Sequence, residues 1–96
     1  MADRYQRIRE LGWDTKLLQR AKVLVVGAGA LGNEVLKNLA LLGVGNIWVV
    51  DMDSIESHNL TRTVLFRESD IGESKAMVAA KRIKEIEPEL NVYPIV

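Results

Sequence analysis

The segment Gly27-Ala28-Gly29-Ala30-Leu31-Gly32 constrains this chain more than any other feature. Its three glycines, spaced GxGxxG, stand between an unbroken apolar run, Val23-Leu24-Val25-Val26, and a stretch in which Leu31, Val35, Leu36, Leu39 and Leu42 recur at helical spacing. The short β-branched run, bounded by Lys22 and Gly27, predicts a strand covered on both faces, as in a parallel sheet. The periodic stretch predicts an amphipathic helix that Gly43 stops. Between them, Gly27 permits a tight turn, Gly29 lets a phosphate or ribose approach the backbone, and Gly32 lets the helix pack closely on the strand. The helix N-terminus adds free N–H groups and a partial positive charge, both suited to an anion.

The rest of the chain extends the same alternation. A Gly45-Asn46 turn leads into Ile47-Trp48-Val49-Val50, a second strand that ends at Asp51. From Asp53 to Ile71 no period is sustained, and long irregular segments in compact domains are commonly functional. Ala76, Ala79, Ala80, Ile83 and Ile86 then write a second helix, with Ser74 as its cap and Pro88 beyond its end. Val92 to Val96 reads as a third strand. Ahead of all this, Asp3 caps a short helix running toward Leu11 and Gly12, and Asp14 caps a second turn through Leu18. The expected fold class is α/β: half of a doubly wound Rossmann-like parallel sheet, with three strands and two crossover helices, preceded by short N-terminal helices. Residues 1–22 read as a helical extension and 23–96 as a partial nucleotide-binding domain that stops before strand four.

Composition removes several function classes. A chain of 96 residues forms one small domain at most. Thirteen basic and thirteen acidic side chains cancel, which leaves no field to draw nucleic acid or an anionic membrane. The absence of cysteine excludes disulfides, a thiol nucleophile and Cys-based zinc sites within these residues, and no metal-ligand set is read from the remaining ones. No apolar stretch approaches the roughly 18 residues a membrane helix needs. The polar N-terminus lacks the apolar region of a secretory signal, so a cytoplasmic location is expected.

Asp51 lies nineteen residues after Gly32 at the carboxyl end of strand two, where a carboxylate can accept from both hydroxyls of an adenosine ribose; the plainer reading is a cap for the segment that follows. Asp53 either caps the turn through Ser54 or sits in the outer part of the site. Asn59-Leu60-Thr61-Arg62 is followed thirteen residues after Arg62 by Lys75. A dinucleotide has little need of these cations, whereas a triphosphate carries more negative charge that fixed cations must balance as it redistributes. His58 has no carboxylate partner in its motif and reads as exposed. Trp13, Trp48 and Met77 read as packing residues.

Taken in order, Arg4-Tyr5-Gln6-Arg7, Gly27 to Gly32, Gly43-Val44-Gly45, Asp51-Met52-Asp53, Asn59-Leu60-Thr61-Arg62 and Ile71-Gly72-Glu73-Ser74-Lys75 resemble the N-terminal half of the ubiquitin-activating-enzyme superfamily. Its bacterial members include the ThiF and MoeB adenylyltransferases. The resemblance implies adenylation: the C-terminal carboxylate of a ubiquitin-like or sulfur-carrier protein attacks the α-phosphate of ATP, with Mg2+ present. It also implies binding roles for Gly27, Gly29, Ala30, Gly32, Asp51, Asp53 and Asn59, and catalytic roles for Arg62 and Lys75 at the phosphates. Arg7 resembles the arginine that reaches into a neighbouring subunit's ATP site, which implies a homodimer or completion by another chain.

The sequence departs from the family in two small ways, Ala30 where glycine is usual and Thr63 where glutamine is frequent. A larger departure is the end at Val96, before the half that carries the magnesium-linked aspartate, any CxxC pairs, any catalytic cysteine and the surface for the carrier's tail. Without strand four, strand one is expected to leave an apolar open edge, so that the chain alone associates or is marginally stable. Two alternatives stay open on the same residues: the NAD-binding half of an oxidoreductase, and a pseudo-active subunit that completes a partner's site.

Overall fold

The computed structural model describes residues 6–12 and 14–96, and the side chains of Arg7 and Ile8 lie outside that description. Helices α1 (Gln6–Glu10) and α2 (Thr15–Arg20) precede β1 (Lys22–Val26), α3 (Ala30–Leu42), β2 (Asn46–Val50), α4 (Lys75–Ile86) and β3 (Asn91–Ile95). Asp14 caps α2 as expected, accepting from the amides of Lys16 and Leu17 at 3.0 and 3.2 Å. The cap expected at Asp3 and the packing expected of Trp13 fall outside the described residues. Between β2 and α4 the irregular segment contains 3-10 turns at Ser57–Thr61 and Glu68–Asp70, both too short for a helical period to register in the sequence.

The three strands are parallel in the order β1-β2-β3, with Val25 opposite Val49 and Val49 opposite Pro94. Helices α3 and α4 pack against each other and against the sheet. On that face Val25, Ile47 and Val49 are buried beneath Leu36, Ala40 and Ile83. Among the described residues nothing covers the opposite face: Leu24 and Val26 on β1 are 61% and 75% exposed, and Tyr93 and Ile95 on β3 are exposed too. There Trp48 stacks on Tyr93, with ring centroids 4.8 Å apart.

The expectation that β1 is covered on both faces is therefore corrected. An order that steps in one direction through right-handed crossovers carries every crossover helix to the same side of the sheet. An apolar run records which residues favour burial, not whether a segment of the chain shields them. As expected, β1 is an edge strand.

Helix α3 stops where Gly43 adopts φ +93° and its amide bonds the carbonyls of Leu39 and Ala40. Helix α4 starts at Ser74, whose hydroxyl accepts from the Met77 amide at 3.3 Å. Ser74→Ala is expected to destabilise the protein by about 1 kcal/mol. In a thermal melt that corresponds to roughly 4–8 °C at this size. Met77 itself is 53% exposed, so it does not fill the buried helix face expected of it; that face belongs to Ala76, Ala79, Ala80 and Ile83.

Candidate functional site

The site is assembled at the carboxyl ends of β1 and β2. Gly27 leaves β1 at φ +93°, a conformation that side chains disfavour, and its amide donates to the Val50 carbonyl at 2.7 Å. The next peptide is held by Asp51. One carboxylate oxygen accepts from the Ala28 amide at 2.7 Å and the other from the Asp53 amide at 2.8 Å. Asp51 thus does what its plainer reading required, capping the segment after β2, and also ties that segment to the glycine turn. A carboxylate oxygen has two acceptor positions, so each oxygen can accept one further hydrogen bond.

Helix α3 begins with Gly29 as its N-cap and no side chain bonded there. Its first backbone bond runs from Asn33 to the Gly29 carbonyl at 2.8 Å, so the amides of Ala30, Leu31 and Gly32 precede the helical ladder. A Cβ built on Gly29 meets no atom within 4 Å, whereas one built on Gly32 overlaps the Gly27 carbonyl. The two glycines have different causes: one leaves open space above the turn, and the other allows helix and turn to touch.

A second cluster comes from the irregular segment. Ser54 and Ser74 form an antiparallel bridge. The Ile55 amide donates to Glu73 and the Gly72 amide to Ile55, both at 2.8 Å, and the Lys75 amide donates to the Asp53 carbonyl at 3.0 Å. Ile55 is 1% exposed and anchors this pairing in the core. The result brings Asp53, Asn59 and Lys75 around one cavity of about 270 Å³, with Ser54, Glu56 and His58 completing its wall.

Asn59 is buried, and its side-chain carbonyl oxygen accepts from the Glu56 amide at 2.8 Å, which leaves the amide nitrogen as the side chain's donor group. Glu56 also stands 3.3 Å from His58. The reading of His58 as lacking a carboxylate partner is corrected, since the 3-10 turn brings together two residues only two apart; both remain exposed. Arg62 ends that turn, exposed, and does not line the cavity. Arg7 lies on α1 with its side chain outside the described residues. Among the described residues no group of three or more acidic, His or Cys side chains is placed to hold a metal.

One residue of this region was missed by the sequence reading. Asn33 is fully buried on α3, in line with Leu36 and Ala40. Its signal was available: a polar residue three before a buried leucine stands on the apolar stripe.

Known proteins share this fold. Residues 3–96 match the model of the ThiF family. The chain belongs to that family. The sulfur carrier protein adenylyltransferase of Thermus thermophilus is 46% identical over 99 residues, covering 97% of this chain and 36% of that protein. The Nedd8-activating enzyme E1 catalytic subunit of Drosophila melanogaster is 53% identical over 78 residues, covering 81% of this chain and 17% of that one. Among solved structures, Escherichia coli MccB with ATP superimposes with a TM-score of 0.90 at 37% identity, covering 97% of this chain and 30% of that chain. The three-stranded parallel sheet with its crossover helices is thus the ThiF-family Rossmann-like fold, and the chain spans about a third or less of these relatives. No described helix is long and apolar enough to cross a membrane.

Proposed function

We propose that this chain is the ATP-binding part of an adenylating enzyme that activates the C-terminal carboxylate of a ubiquitin-like or sulfur-carrier protein. The observation that carries the reading is the Asp51 carboxylate, locked at the end of β2 against the Ala28 amide beside an uncapped helix N-terminus. A carboxylate beside a helix end with free amides suits an adenosine ribose and its phosphates, which supports this reading. The open space over Gly29 fits the same ligand. Relatives named as a sulfur carrier protein adenylyltransferase and a Nedd8-activating subunit, and a structural neighbour solved with ATP, support it.

In this reading Asp51 holds the ribose hydroxyls. Gly27, Gly29, Ala30 and Gly32 present backbone to the phosphates, Asp53 lies at the outer edge, and Asn59 donates to the phosphate region. A carboxylate oxygen of the carrier attacks the α-phosphorus, an acyl–phosphate bond forms, the α–β bridging bond breaks, and pyrophosphate leaves with the electron pair. Lys75 and Arg62 offset charge that moves onto the phosphate oxygens in that step. Arg7 acts in a neighbouring subunit's site within a homodimer or a mixed assembly. Magnesium would be held largely by an aspartate outside these residues.

The test is a titration of the protein with MgATP and, separately, NAD. ATP is expected to bind in preference to NAD, and Lys75→Ala to weaken ATP by about tenfold or more, the loss of one charge-assisted contact. Preference for NAD, together with an absence of ATP-dependent pyrophosphate exchange in the assembled enzyme, contradicts the proposal. If Asp51→Ala and Lys75→Ala both leave activity of the assembled enzyme unchanged, the chain is a structural subunit.

A further inference from the structure

Asn33 is fully buried, and both ends of its carboxamide are bonded to main chain that lies outside its own helix. The amide nitrogen donates to the Ala28 carbonyl at 2.7 Å, and the carbonyl oxygen accepts from the Leu65 amide at 2.9 Å. A backbone carbonyl only accepts and a backbone amide only donates, so the two partners fix which way the side chain points. Ala28 is the second residue of the glycine turn. Leu65 is buried three residues after Arg62.

The peptides on both sides of Ala28 are therefore held, its N–H by Asp51 and its C=O by Asn33. One chain of hydrogen bonds runs from the end of β2 through the glycine turn and α3 into the segment that carries Asn59 and Arg62. Other side chains do not reproduce it. Leucine of similar volume makes neither bond, aspartate has no donor for Ala28, and serine is too short to span both partners.

We propose that Asn33 is a positioning residue that holds the glycine turn and the Arg62 segment at the separation a triphosphate requires, before nucleotide arrives. This rests on the ATP-site reading above. It assigns the preorganisation of the phosphate site to a residue that touches no nucleotide.

The experiment uses the assembled enzyme as wild type, Asn33→Leu and Asn33→Ser, each also combined with Arg62→Ala. Amide hydrogen exchange is followed by NMR without nucleotide, and MgATP affinity is measured by calorimetry. In Asn33→Leu the Leu65 amide is expected to exchange about tenfold or more faster. ATP affinity is expected to fall by about tenfold, and by less than about twofold where Arg62 is already alanine, because misplacing an absent guanidinium costs nothing further. If leucine prevents folding, Asn33→Ser carries the same readouts. Unchanged exchange at Leu65 overturns the proposal, as does a full loss of affinity that persists without Arg62, which marks general damage to the fold. An assembled wild-type enzyme that fails to bind ATP overturns the adenylation reading and with it the purpose assigned to Asn33. Faster exchange at Leu65 with undiminished ATP affinity overturns the positioning role alone.

Discussion

Arg82→Ala is expected to destabilise the protein by about 3–5 kcal/mol, the cost of leaving a buried carboxylate without its partner. Arg82 and Asp70 are 6% and 4% exposed, and one guanidinium nitrogen donates to both carboxylate oxygens at 2.9 Å. Asp70 also accepts from the Arg67 amide at 2.7 Å, closing the second 3-10 turn. Alanine keeps those demands on the carboxylate but removes its counter-charge. The pair is not fully satisfied even in the native protein, since Nε of Arg82 is buried without a partner. A double replacement, Asp70→Asn with Arg82→Met, should therefore cost less than Arg82→Ala alone, because no uncompensated charge remains. Urea denaturation reads both variants; a midpoint for Arg82→Ala within experimental error of wild type contradicts the expectation. The pair clamps the end of the irregular segment onto α4, the helix whose first residue is Lys75, so its loss should also loosen the cavity around Asp53 and Asn59.

Two alanine substitutions in one turn should behave in opposite ways. At Gly32 the new methyl group runs into the Gly27 carbonyl, which is backbone and held by its place in the turn. Helix α3 must move away from β1, and the expected loss is about 1–3 kcal/mol of stability, with weaker nucleotide binding as a consequence. At Gly29 the backbone has φ −77° and the methyl meets nothing within 4 Å, so stability should stay within about 0.5 kcal/mol of wild type. If phosphates lie over that residue, Gly29→Ala still obstructs them, and ATP affinity should fall while the melting temperature holds. Calorimetric binding beside a thermal melt separates the two effects. A Gly29→Ala protein that binds ATP as wild type does removes the ligand from the place proposed for it.

Much of the fold was legible because its signals are local. Val23 to Val26 and Ile47 to Val50 announced strands, Leu31 to Leu42 announced a helix, and Gly43 and Ser74 ended or began helices where the structure has them. The glycine spacing assigned separate tasks to Gly27, Gly29 and Gly32; the backbone geometry has the tight turn at Gly27 and the close helix packing at Gly32, and it leaves open space over Gly29. The irregular segment was legible only as irregular. Its shape comes from the Ile55 pairing with residues 72–74 and from the Asp70–Arg82 ion pair, contacts between residues 12 or more apart that no local pattern encodes. His58 and Glu56 show the same limit at short range, since a 3-10 turn brings together what an extended chain would separate.

Element order, the turn chemistry and family membership were determined by the sequence alone, because periodicity, capping and glycine spacing act over a few residues and leave marks there. Which face of the sheet is covered was decided only by the tertiary structure. So was the closing of Asp53, Asn59 and Lys75 around one cavity, and the use of a buried Asn33 to join turn and loop. Each depends on where a crossover carries the chain and which main-chain groups are left to be satisfied there. Those are properties of the packed molecule, and a run of residue types does not record them.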